Sequence, residues 1–147
     1  MNPHLFVYGS LLSTRTEPFG RALRQRLARD SRLLGPATIL GRLYDLGRYP
    51  GLVDAADARE ITHGELVSLT MPLAALRWLD AYEGIAAGSG RDDEEYKRVE
   101  RTVSLLQPAA SPQAPAKPRS LKAWVYIYRR DTTDLRQVPG GRWGGPV

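Results

Sequence analysis

The chain contains no cysteine. That excludes disulfides, thiolate nucleophiles and Cys-ligated zinc or iron–sulfur sites together. Histidine occurs only as His4 and His63, too sparse for a His-rich metal site. We therefore expect no metal. No apolar run approaches the roughly 20 residues that a membrane span requires, so no membrane partner is expected. The start, Met1-Asn2-Pro3-His4, lacks the basic and apolar regions of a signal peptide, which makes a cytoplasmic location the expectation. No internal repeat is present.

What remains is ordinary for a globular protein: 147 residues, 42% hydrophobic and 25% charged. That length suits one domain over residues 1–147 with a core of its own. Basic residues outnumber acidic ones 21 to 16, for a net charge of +5. Much of the excess lies in Arg21, Arg24, Arg26, Arg29 and Arg32. Such a run is either a phosphate-binding helix face or a solvated one. No aromatic residues interleave with these arginines, as single-strand binders require. We read a solvated face and expect no nucleic-acid partner.

Residues 4–9 read as a buried strand. Glu17 to Ala28 reads as a helix, since Phe19, Leu23 and Leu27 recur every four residues, with Thr14 or Thr16 as cap. Residues 36–46 read as a strand that bends or bulges at Gly41, and Gly47 to Gly51 as a turn. Residues 61–69 read as a strand. Met71 to Tyr82 reads as a helix capped by Thr70, with Pro72 in its first turn and Gly84 at its left-handed end. Val99 to Leu106 and Leu121 to Tyr128 read as strands. In the latter, Trp124, Tyr126 and Tyr128 alternate with Val125 and Ile127, so both faces are covered. Ala86 to Glu95 is rich in glycine and then in acid. The stretch 107–120 holds Pro108, Pro112, Pro115 and Pro118 and reads as a surface loop. The tail from Val138 reads as irregular. About five strands and two helices, without regular alternation, predict an α+β fold.

Two segments carry chemistry. At about 100° per residue, Leu76, Leu79 and Glu83 share one helical face, which places a carboxylate where the pattern expects core. Burial and the negative end of the helix dipole both raise its pKa, which suits general acid–base catalysis near neutral pH. Equally, Glu83 turns outward at a frayed end or pairs with an arginine, and Asp80 lies near the same face. The second segment is the strand Leu5 to Tyr8 running into Gly9-Ser10-Leu11. A glycine turn there either aims backbone N–H groups at a ligand or merely ends the strand. Ser10 lacks the glycine two residues before it that a nucleophile elbow needs, since Tyr8 stands there. The tyrosines, Tyr126 among them, either line a polar pocket or pack in the core.

In order along the chain stand Phe6-Val7-Tyr8-Gly9-Ser10-Leu11, then Gly41-Arg42-Leu43-Tyr44-Asp45-Leu46-Gly47 with Tyr49-Pro50-Gly51-Leu52. Leu79-Asp80-Ala81-Tyr82-Glu83-Gly84 follows, then Tyr96-Lys97-Arg98-Val99 and Ala123-Trp124-Val125-Tyr126. Pro139-Gly140-Gly141-Arg142-Trp143 closes the series. This ordered set resembles the γ-glutamylcyclotransferase-like superfamily, which includes the γ-glutamylamine cyclotransferases and AIG2-like proteins. The resemblance implies a small mixed β-barrel with flanking helices. It implies a cofactor-independent enzyme in which the α-amine of a γ-glutamyl substrate attacks its own γ-carbonyl, releasing 5-oxoproline and an amine or amino acid. By the same resemblance Glu83 is the general acid/base. Tyr8, Gly9, Ser10 and Leu11 hold the glutamyl group, and Tyr126 contacts the substrate. The other reading is a non-catalytic module of the same fold that binds a small molecule. The stretches 86–95 and 107–120 depart from compact members and leave the leaving group open.

Overall fold

Alternation along the first strand sends Leu5 and Val7 to one side and Phe6 and Tyr8 to the other, and all four are buried. A strand buried on both faces needs cover on each side, such as the interior of a closed sheet on one and a helix layer on the other. The structure, a computed structural model, has that arrangement; it describes residues 1–85, 94–106 and 117–144. In chain order the elements are β1 His4–Val7, α1 Arg21–Asp30, β2 Ser31–Asp45, β3 Pro50–Asp54, β4 Ile61–Leu69 and α2 Pro72–Tyr82. They continue with β5 Tyr96–Leu105, β6 Arg119–Tyr128, β7 Arg136–Gln137 and a 3-10 turn at Pro139–Gly141.

The sheet runs β3-β2-β4-β1-β6-β5, and a further β2–β5 pairing closes five strands into a barrel. β1 and β6 are parallel, and every other pairing is antiparallel, so the barrel is mixed. β3 and β7 both extend β2 outside the closed ring. This is the α+β, small mixed barrel with flanking helices that the sequence implied. No helix among the described residues is long and apolar enough to cross a membrane.

Phe6, Leu43, Leu52, Leu66, Val103 and Val125 fill the barrel interior. On the outer wall, Leu27 of α1 and Leu76 and Leu79 of α2 pack against Leu5, Val67 and Tyr126. Gly64 of β4 is obligatory there: a Cβ would run into the Val7 carbonyl and the Phe6 ring.

Several boundaries differ from the sequence reading. α1 begins at Arg21, behind Gly20 in a left-handed conformation, so neither Thr14 nor Thr16 caps it. β2 begins at Ser31, and its register break lies between Leu33 and Gly35, not at Gly41. Gly41 instead makes room for Leu52, whose Cδ1 would stand 2.5 Å from a Cβ. Part of the turn at 47–51 is already strand, since Pro50 opens β3 against Asp45. Met71, not Thr70, precedes α2. β7 was not expected at all. The prolines of the 107–120 stretch, apart from Pro118, and nearly all of the 86–95 stretch lie outside the described residues.

Candidate active site

Glu83 owes its place to the way α2 ends. Gly84 adopts φ +78°, the Ile85 N–H donates to the Asp80 carbonyl at 2.8 Å, and the Gly84 N–H donates to the Ala81 carbonyl at 3.2 Å. These paired bonds stop a helix at a left-handed residue, and a glycine takes that conformation without strain. Ile85 turns back into the core. Leu79 is fully buried on the same face, so Glu83, four residues on, is carried towards the barrel.

The second element is the turn that follows β1. Leu12 donates its N–H to the Gly9 carbonyl at 3.0 Å. Among the described residues, the Ser10 and Leu11 N–H groups meet no acceptor. Arg24 of α1 braces this turn from behind. Its Nη1 donates to the Ser10 carbonyl at 2.7 Å and to the Phe19 carbonyl at 3.3 Å, and its Nη2 to the Glu17 carbonyl at 2.6 Å.

Both elements open on one cavity of about 220 Å³. Its lining includes Tyr8, Gly9, Ser10, Leu11, Glu83 and Tyr126, all six residues singled out in the sequence. Phe19, Tyr49, Tyr82, Glu95 and Tyr96 also line it. Phe19 and Tyr49 stack with centroids 6.2 Å apart, and the Tyr49 hydroxyl donates to Glu95 at 2.9 Å. Ser10 Oγ lies 3.0 Å from the Tyr82 hydroxyl, and no histidine pairs with it among the described residues.

The hydroxyls of Tyr8 and Tyr126 are already engaged. Tyr8 donates to the Tyr126 carbonyl at 2.6 Å and accepts from the Leu52 N–H, tying β1, β6 and β3 together. Tyr126 donates to Asp80 Oδ1 at 2.7 Å. Burial pushes both phenols up from their ordinary value, Tyr8 next by the charge of Glu83 and Tyr126 next by Asp80.

Glu83 is different. Its side chain has no hydrogen-bond or ion-pair partner among the described residues. Burial, and then the charges of Glu95 and Asp80, push its carboxyl up to about 8. The result is an unpaired acid facing a cavity, with a pKa suited to giving and taking protons near neutrality.

The sequence reading passed over Arg24, placing it on a solvated face. Arg24 stands three residues before Leu27, at the edge of the apolar stripe, and that edge position was the available signal. Arg26 is also engaged, stacked 4.7 Å above the Trp78 ring. Among the described residues, no group of acidic and histidine side chains forms a metal site.

The profile of a sequence family described as gamma-glutamyl cyclotransferase, AIG2-like matches residues 5–145. Among solved structures, protein ytfP from Escherichia coli is similar at 28% identity over 96% of each chain, with a TM-score of 0.57. An Arabidopsis thaliana protein is 26% identical over 95% of this chain and 68% of its own, with a TM-score of 0.52. An aig2-like protein from Mus musculus shares the fold at 20% identity, over 99% of this chain and 96% of its own, with a TM-score of 0.56. No curated protein matches the chain.

Proposed function

This chain belongs to the gamma-glutamyl cyclotransferase, AIG2-like family, and on that footing we propose that it cyclises γ-glutamyl amines or γ-glutamyl amino acids. The products are 5-oxoproline and the freed amine. The observation that carries this reading is that Glu83 and the Gly9–Leu11 turn, whose Ser10 and Leu11 N–H groups meet no acceptor among the described residues, line one cavity.

The glutamyl group enters with its γ-carbonyl oxygen towards those N–H groups, which stabilise the charge that develops on it. Its α-nitrogen lies towards Glu83. A bond forms between the α-nitrogen and the γ-carbon, and the bond from that carbon to the leaving nitrogen breaks. Glu83 takes the proton that the α-nitrogen sheds and returns it to the leaving nitrogen, so the carboxylate is regenerated. No external nucleophile takes part. Folding a flexible chain into a near-attack conformer supplies much of the rate.

The pKa of about 8 sets the pH dependence. Below it the base is mostly protonated, so kcat/KM rises with pH and levels off near that value. The test is incubation with a panel of γ-glutamyl amines and γ-glutamyl amino acids, reading 5-oxoproline release. Product formation that Glu83→Gln abolishes supports the reading. Ligand-induced thermal stabilisation without product overturns it in favour of a small-molecule-binding module.

A further inference from the structure

Asp80 stands one turn before Glu83 on α2 and takes no direct part in the proposed chemistry. Its side chain is nonetheless held by three hydrogen bonds. Arg98 of β5 grips it with two bonds, Nε to Oδ1 at 2.8 Å and Nη2 to Oδ2 at 3.2 Å. The Tyr126 hydroxyl of β6 adds a third, to Oδ1. The Asp80 carbonyl accepts the Ile85 N–H that closes the turn after Glu83. One residue therefore ties the end of α2 both to the barrel wall and to the Gly84 turn.

Arg98 is fixed in its turn. Its guanidinium lies 4.5 Å above the Trp124 ring, and Trp124 Nε1 donates to the Asn2 carbonyl at 2.9 Å. Asn2 leads into β1, the strand that delivers the Gly9 turn. The helix end that bears Glu83 and the strand that bears the turn are thus coupled through Asp80, Arg98 and Trp124.

We propose that Asp80 and Arg98 form the positioning pair of this site: they hold the last turn of α2 against the barrel and set the charge that the Glu83 carboxyl faces. This deepens the cyclotransferase reading and rests on it for its kinetic consequence. Glu83 is faced by Asp80 and Tyr82 from its own helix, by Tyr8 from β1, by Glu95 and Tyr96 from the β5 side and by Tyr126 from β6. The four tyrosines are all pushed above their ordinary value and stay neutral through the working range. Among the described residues, the charges that act on Glu83 are then those of Glu95 and Asp80, with Arg98 paired to the second. Removing the negative member of the pair and removing the positive member must act on Glu83 in opposite directions.

The test uses the full chain with Asp80→Asn and, separately, Arg98→Met, which keeps an apolar stem on Trp124. The Glu83 titration is followed by carbon-detected NMR of labelled glutamate, and by kcat/KM against pH on the γ-glutamyl substrate that turns over best. Asp80→Asn should move the Glu83 midpoint down and Arg98→Met should move it up, each by about half a pH unit or more. The acid limb of kcat/KM should follow, with kcat changed more than KM. Midpoints that stay at the wild-type value, or that move the same way in both variants, overturn the proposal. A pair that merely stabilised the fold would lower the unfolding midpoint without opposite titration shifts. If Asp80→Asn fails to fold, the upward shift in Arg98→Met decides alone. If the wild type turns over no substrate, the cyclotransferase reading falls, and the NMR titration still decides the positioning role.

Discussion

Replacing Glu83 with Gln should stabilise the protein, and more so as pH rises. The carboxyl is held at about 8 against 4.5 for an unhindered glutamate. Between those values the folded chain keeps a proton that the unfolded chain has released. Folding stability therefore falls as pH rises through that window and levels off above it. At about 1.4 kcal/mol per pH unit, the difference corresponds to about 5 kcal/mol for a carboxyl wholly cut off from water. Glu83 is only partly buried as a residue, and water at the cavity mouth screens some of this, so about 2–4 kcal/mol is expected. Glutamine has the same shape and no charge to bury. Urea unfolding followed by tryptophan fluorescence, for both proteins across the window, measures the difference. The two curves should coincide near pH 4.5 and separate to a plateau above about pH 8. Activity should move the other way, with kcat down about 10²–10⁴-fold. A stability difference that is flat with pH, or a Gln variant that is less stable at high pH, would refute the claim that Glu83 is desolvated and unpaired.

Three further outcomes follow from the turn after β1. Arg24→Met removes the donors to three carbonyls and should cost about 2–4 kcal/mol in urea unfolding, with KM raised more than kcat in steady-state kinetics because the turn is no longer braced. Gly9→Ala places a Cβ 2.9 Å from Pro50 Cδ. Activity should fall at least about tenfold in the 5-oxoproline assay, while stability drops by only about 1–2 kcal/mol. Ser10→Ala removes the contact with the Tyr82 hydroxyl and should leave kcat within about tenfold of wild type, since a loss on the scale of a missing nucleophile is far larger.

The parts of the fold legible in the sequence are those whose pattern is local. β4 and α2 match the expected ranges because alternation and helical periodicity run unbroken through them. β3 was hidden because Gly47, Pro50 and Gly51 are turn residues by type, yet Pro50 opens an edge strand, where its missing N–H is harmless. β7 has two residues and exists only by pairing with Tyr44 and Asp45, some ninety residues back along the chain. No local pattern announces such an element. α1 begins only at Arg21 because Pro18 and Gly20 interrupt the apolar stripe that starts at Phe19.

The site divides in the same way. Glu83 was visible because a charge interrupted an apolar face, and the turn because a glycine followed a buried strand. Two acids on one helical face were nevertheless equivalent on spacing alone. Their separation comes wholly from tertiary partners. Asp80 is bound by Arg98 and Tyr126, from strands 18 and 46 residues away. Glu83 has no side-chain partner among the described residues and lines the cavity. The same partners distinguish the two: Asp80 is held by three hydrogen bonds, whereas burial and its neighbours' charges push the carboxyl of Glu83 up to about 8. In the proposed mechanism the acid held by three donors fixes the geometry, and the acid without donors among the described residues moves the proton.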